Sequence, residues 1–149
     1  IFNSKKFSRY PIDNLNVKTN LAYGRMIIEK KFSISQNIFQ CDANVNLTEE
    51  FPVLNFNCNL VSKNKRELFK KLKIKNNFNS NELDLRVRGN LNIINKKINF
   101  DLIQIDNAYK ASKEDLNFFK SSFESTIFDE DFLSMFQIIK LRDFLNEIL

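Results

Sequence analysis

The chain has no histidine and no tryptophan, and only two each of glycine, proline, cysteine and methionine among its 149 residues. Without histidine, Ser-His and Cys-His nucleophile pairs and imidazole metal sites are excluded. With glycine confined to Gly24 and Gly89, neither a phosphate-cradling P-loop nor a dinucleotide fingerprint can be written. Two cysteines alone cannot complete a structural zinc site. No apolar run approaches the roughly 18 residues of a membrane-spanning helix, so any anchor is expected outside this segment. The first residue is Ile1, with no leader-like stretch, and the sequence 1–149 reads as a single segment of a larger protein.

What is present is a foldable chain. Hydrophobic residues make up 43% and charged residues 28%, which suits one domain with a real core. The net charge of +5 permits an acidic partner, but apart from Lys63 to Lys75 the basic residues are dispersed. Asp101 and Asp106 fall on a solvated strand pattern that does not bring them to a common pocket. No catalytic residue, cofactor or enzymatic activity is therefore expected.

The clearest period lies in Glu82 to Asp106. Leu83, Leu85, Val87, Leu91 and Ile93 alternate with polar residues, and Ile98, Phe100 and Leu102 resume the alternation after Asn95 and Lys96. A two-residue turn there predicts a long hairpin pairing Ile93 with Ile98 and Leu91 with Phe100. Gly89 would then oppose Leu102, with a bulge or close backbone approach. Upstream, Leu15, Val17, Thr19, Leu21 and Tyr23 share one face, and Gly24 marks a turn. Met26, Ile28, Phe32 and Ile34 follow on one parity. Phe39, Cys41, Ala43, Val45 and Leu47, then Leu54, Phe56, Cys58 and Leu60, predict a further hairpin with an asparagine-rich outer face.

At Ser62 the rhythm changes. Leu68, Phe69 and Leu72 recur at helical spacing, so residues 63–74 read as a short basic amphipathic helix with Ser62 as N-cap. Ser112 begins S-x-x-D, a short-armed capping box, and Leu116, Phe119 and Phe123 line the helix after it. Asp129 reads as the cap of a last helical stretch whose stripe is Phe132, Met135, Phe136, Ile139, Phe144, Leu145 and Ile148. The fold class is α+β: a one-sided, curved antiparallel sheet of about six to eight strands over residues 14–106, a short inserted helix, and a helical part over 112–149.

Cys41 and Cys58 share the apolar parity of one hairpin as direct or diagonal neighbours. Two buried free thiols is the favoured reading, and a disulfide in an oxidising compartment is the alternative. The basic helix reads first as the wet face of a helix packed on the sheet, then as a contact for a membrane surface through Lys65, Lys70, Lys71 and Lys73. Nucleic-acid binding ranks lower, because Phe32, Phe56 and Phe100 share the parity of their aliphatic neighbours.

Two stretches resemble the AsmA-like proteins. One is FPVLNFNCNLVSKNKRELFKKLKI, from Phe51 to Ile74, a strand running into a short Leu- and Lys-bearing helix. The other is GNLNIINKKINFDLIQIDNAYKASKEDLNFFKSSF, from Gly89 to Phe123. The resemblance is one of pattern and runs from about Asn14 to the C-terminus. It implies an apolar β-groove that binds or conducts phospholipid between inner and outer membrane. It implies the periplasmic part of an inner-membrane-anchored protein of the Gram-negative cell envelope, acting in outer membrane biogenesis. The expected partners are phospholipid acyl chains and the remainder of the same polypeptide, with no nucleic acid. The acyl chains would meet Leu85, Val87, Leu91, Ile98, Phe100, Leu102, Val45 and Phe56. The alternatives are a non-enzymatic α+β interaction module of an envelope protein, with the inner face covered by its own helices, and a basic nucleic-acid-binding domain.

Overall fold

The computed structural model describes residues 1–6, 12–74, 81–127 and 138–148. Its elements are β1 (Phe2–Lys6), β2 (Asp13–Ala22), β3 (Arg25–Ile34), β4 (Asn37–Asn46), β5 (Val53–Ser62), α1 (Lys65–Leu72), β6 (Leu83–Asn92), β7 (Lys97–Ile105), β8 (Tyr109–Lys110), α2 (Lys113–Ile127) and α3 (Ile138–Ile148). Each strand pairs antiparallel with its chain neighbours, giving one open, curved eight-stranded meander whose last strand has two residues. This is the α+β class expected, with the inserted helix and the C-terminal helices in place.

Strands β2 to β6 are ten residues long each, about 33 Å at the usual rise of a strand. Two of their connections are tight turns with two left-handed residues. Tyr23 (φ 50°) and Gly24 (φ 74°) join β2 to β3; Ser35 (φ 48°) and Gln36 (φ 68°) join β3 to β4. The second turn lacks glycine and is held by Asn37, whose Nδ2 donates to the Ile34 and Ser35 carbonyls at 2.8 and 3.1 Å. Ser62 Oγ donates in turn to Asn37 Oδ1 at 2.6 Å, so this buried pair is satisfied. Ser62 is thus the end of β5 and not a cap. The N-cap of α1 is Asn64, whose side chain accepts from the Glu67 N–H.

The central hairpin differs from expectation by two residues. Its turn spans 93–96, so Asn92 pairs with Lys97 and Leu91 with Ile98. The Asn95 N–H donates to Asn92 Oδ1, which stabilises the longer loop in place of an Asn-Lys two-residue turn, and Lys96 closes it at φ 52°. A shift of two keeps every parity. A bulge then changes it: Gly89 pairs with Phe100 but Arg88 with Leu102, leaving Asp101 as the extra residue of β7. Beyond it Ile103 and Ile105 take the inner face opposite Val87 and Leu85, and Leu102 turns outward. At Gly89 a Cβ would collide with the Asn99 carbonyl and stand 3.0 Å from the Phe56 ring, so the close approach does occur, opposite Phe100.

The core lies between the inner face and the helices. Leu68, Phe69 and Leu72 of α1 are buried in the same core cluster as Ile34, Leu60 and Leu83, which lie toward the end of the sheet where α1 is inserted. Helix α2 runs along β7, opened by a reciprocal capping box: Asp115 N–H to Ser112 Oγ at 3.2 Å and Ser112 N–H to Asp115 Oδ2 at 2.9 Å. Phe144, Leu145 and Ile148 of α3 complete the core. The cap proposed at Asp129, and Phe132, Met135 and Phe136, lie outside the described residues, as does the side chain of Ile139.

Candidate functional site

Alternation and register place Val17, Thr19 and Leu21 of β2 on the inner face beside Lys30, Ile28 and Met26 of β3. The same face continues through Cys41, Ala43 and Val45 of β4 and Leu54, Phe56 and Cys58 of β5 to β6 and β7. Its burial is graded. On β6 and β7, Leu83, Leu85, Val87, Leu91, Ile98, Phe100 and Ile103 are all buried. On β3 to β5, Met26, Ile28, Ala43, Leu54 and Phe56 are half-buried while Phe32, Ile34, Phe39, Val45 and Leu60 are buried, and on β2 Leu21 is 63% exposed.

Helices α2 and α3 close the β7 side. The Phe100 ring stacks on Phe144 at 5.6 Å between centroids and meets Phe123 and Phe56 edge-on at 5.7 and 6.3 Å. Of the residues proposed to meet acyl chains, Leu85, Val87, Leu91, Ile98 and Phe100 are therefore inside a packed core, and Val45 on β4 is buried apart from that cluster. Phe56 borders the half-buried region. Leu102 is on the opposite face, because the bulge at Asp101 inverts the parity of β7 after Phe100. The period in the sequence identified the apolar face; it carried no signal for which half the helices cover. Met26, Ile28 and Leu54 were on the legible parity but were not singled out.

Helix α2 also blocks part of the β7 edge that the two-residue β8 leaves unpaired. Glu124 Oε1 accepts the outward N–H of Ile98 at 3.0 Å, and Oε2 accepts from Lys97 Nζ at 2.9 Å. Burial on its own would raise the Glu124 pKa. The hydrogen bonds from Lys97 and Ile98 and the charges of Lys97 and Lys120 outweigh it, holding this carboxyl below its ordinary value.

Two further features sit on or beside the inner face. Cys41 and Cys58 are directly opposed, with Cα atoms 4.1 Å apart, and are joined as a disulfide. This corrects the favoured reading of two free thiols: the register makes them direct neighbours, where a bridge is within reach. Lys30 stands between Val17 and Cys41 with its ammonium 5.5 Å from the Phe32 ring centroid, and burial lowers its pKa.

The basic helix is placed as a packed helix with a wet face. Lys70, Lys71 and Lys73 are exposed. Lys65, grouped with them from the sequence, is 2% exposed, its ammonium 5.5 Å from the Phe69 ring centroid. Burial lowers its pKa and the charge of Asp106 partly offsets that. As the first residue of α1 it is turned into the core, so it is withdrawn from any membrane contact.

Among the described residues no cluster of three or more His, Cys, Asp or Glu could hold a metal ion, and no helix is long and apolar enough to cross a membrane. Comparison with protein-family models, curated proteins and solved structures returned no match.

Proposed function

We propose that this chain is a non-enzymatic closing segment of a lipid-handling β-groove of the AsmA-like kind, in which the β6–β7 half is a sealed plug and the β2–β5 half receives acyl chains. The observation that supports the reading is the uneven burial of one largely apolar face. The inner side chains of β6 and the first part of β7 are buried, whereas on β2 to β5 Met26, Ile28, Ala43, Leu54 and Phe56 are half-buried and Leu21 is 63% exposed, beside buried Phe32, Ile34, Phe39, Val45 and Leu60. A meander of equal ten-residue strands can be extended strand by strand at constant width. Glu124 opposes such growth along the part of β7 that β8 leaves unpaired, by occupying the Ile98 N–H. The Cys41–Cys58 bridge suits an oxidising compartment, in keeping with the periplasmic side of a Gram-negative envelope.

Site-specific photo-crosslinking tests this directly. A photoreactive residue in place of Met26 or Ile28, in the chain expressed in a Gram-negative envelope, should give phospholipid adducts; one in place of Ile103 should give none. Absence of adducts at all three positions would overturn the groove. A second reading, a closed α+β interaction module of an envelope protein, is favoured by the packing of Phe100 between Phe56, Phe123 and Phe144, and that negative result would select it.

A further inference from the structure

The meander sends its turns alternately to two ends of the sheet, and among the described turn residues the two ends differ in chemistry. At one end lie Ser35 and Gln36, then Asp106 and Asn107, all polar as turn residues usually are. At the other end lie the β2–β3, β4–β5 and β6–β7 turns, and each carries a large exposed hydrophobic side chain. Tyr23 is fully exposed, Leu47 and Phe51 are 44% and 53% exposed, and Ile94 is 57% exposed; Leu21 adjoins them. This end holds five of the eleven exposed large hydrophobics among the described residues. The others are scattered over the outer face, β8, α2 and Ile1.

These turns form one rim. Leu47 N–H donates to the Gly24 carbonyl at 2.7 Å, and Ile93 N–H donates to the Pro52 carbonyl at 3.4 Å, so the middle turn is tied to both neighbours. Scattered apolar side chains on a surface need no explanation, whereas a connected line of them does.

We propose that this rim inserts into the interfacial region of a phospholipid bilayer. Three features favour a bilayer over a protein. The side chains project from turn tips, a convex comb that would need a matching set of pockets in a rigid partner but that a fluid interface accommodates anywhere. Tyrosine at the tip, with apolar body and polar end, suits the headgroup boundary. The charges of the rim nearly balance, Arg25, Lys96 and Lys97 against Glu49 and Glu50 with Lys97 also paired to Glu124, which matches a zwitterionic surface and gives little electrostatic steering. The rim also borders the half-buried part of the inner face through Leu21 and Met26. It therefore places the mouth of the groove at the membrane; this last point rests on the groove reading, whereas insertion of the rim does not.

The native chain contains no tryptophan, so a single introduced indole reports without background. Tyr23→Trp, Phe51→Trp and Ile94→Trp are each titrated with phosphatidylcholine vesicles, with and without brominated acyl chains. Ile38→Trp, on the outer face toward the opposite end, serves as control. The three rim variants should shift to the blue and be quenched by brominated lipid, with little change in high salt, and the control should do neither. Combined Tyr23→Ser, Phe51→Ser and Ile94→Ser should weaken vesicle partitioning by about ten-fold or more, each lost side chain removing buried apolar area. Lack of quenching at the rim would overturn the proposal, as would equal quenching of the control. Binding confined to anionic vesicles and abolished by salt would also overturn it and transfer the role to the basic face of α1. Blue shifts that track protein concentration without lipid would assign the rim to a second copy of the chain. The two readings fail separately: quenched rim tryptophans with no lipid adduct at Met26 or Ile28 would remove the groove and leave the rim, and the converse would do the opposite.

Discussion

Replacing Glu124 tests how the sheet is terminated. Its carboxylate accepts the Ile98 N–H at 3.0 Å in a part-buried setting, a charge-assisted bond worth about 1.5–3 kcal/mol. The Lys97 pair at 2.9 Å adds little, about 0–1 kcal/mol, since the lysine side chain is 64% exposed. Glu124→Ala leaves the Ile98 N–H without its acceptor and should cost about 2–3 kcal/mol. Glu124→Gln keeps an oxygen in reach and should cost about 1 kcal/mol. For a chain of this size each kcal/mol lowers the thermal midpoint by roughly 2–4 °C, so calorimetry separates the two variants. The pH dependence follows from the lowered pKa. A carboxyl depressed in the folded state contributes its full stability above the ordinary carboxylate range, and the contribution disappears as pH falls through the folded value. Wild type and Glu124→Gln should therefore differ at neutral pH and converge in acid. Opening the β7 edge also exposes a template for strand pairing, so Glu124→Ala should self-associate in light scattering. Equal stability of the Ala and Gln variants, with a gap to wild type that persists in acid, would refute the edge-capping role.

Gly89→Ala should destabilise by about 1–3 kcal/mol in chemical denaturation, because the new Cβ would meet the Asn99 backbone carbonyl, which cannot step aside. Reduction of Cys41–Cys58, or paired Cys→Ser replacement, should cost about 3 kcal/mol for a bridge across 17 positions, seen as a lower midpoint in reductant. Phe100→Ala should cost about 3–5 kcal/mol, since it empties a site bounded by three aromatic rings, while Met26→Ala at the half-buried end should cost clearly less in the same urea titration.

The fold was legible because period-two alternation survives any even error of register. Misplacing the β6–β7 turn by two residues altered each partner, yet Leu91, Ile98 and Phe100 remained on the inner face. The bulge was only half legible: Gly89 signalled an irregularity, but nothing in the alternation signalled that Asp101, on the other strand, would be the extra residue and invert Leu102. The disulfide depended on a register known only after folding. Lys65 was hidden by its type, since a lysine at the start of a basic helix reads as exposed until the position of Asp106 and Phe69 is known. The extent of helix cover is a tertiary fact; the stripe of α2 shows that Phe119 and Phe123 need a surface but not which strands supply it.

The sheet is polarised in two directions at once, and the two polarities have one physical origin. Across the strands, cover runs from the aromatic cluster around Phe100 to the exposed Leu21, because the chain spends its helices after β8 and they fold back over the nearest strands. Along the strands, α1 covers only the end where β5 passes to β6, because a helix inserted between two neighbouring strands must lie at the end they share. The region farthest from both covers is therefore the corner where β2 and β3 meet the turn at Tyr23 and Gly24. Leu21, Tyr23 and Met26 lie at this corner, where, among the described residues, a less buried part of the apolar face meets the apolar rim beside buried Val45. On the proposed groove reading, a lipid tail passing from a bilayer to the inner face would cross there. Asp in place of Met26 would put a charge on that path without entering the Phe100 core. It should therefore diminish lipid adducts at Ile28 while leaving the thermal midpoint close to that of the parent chain.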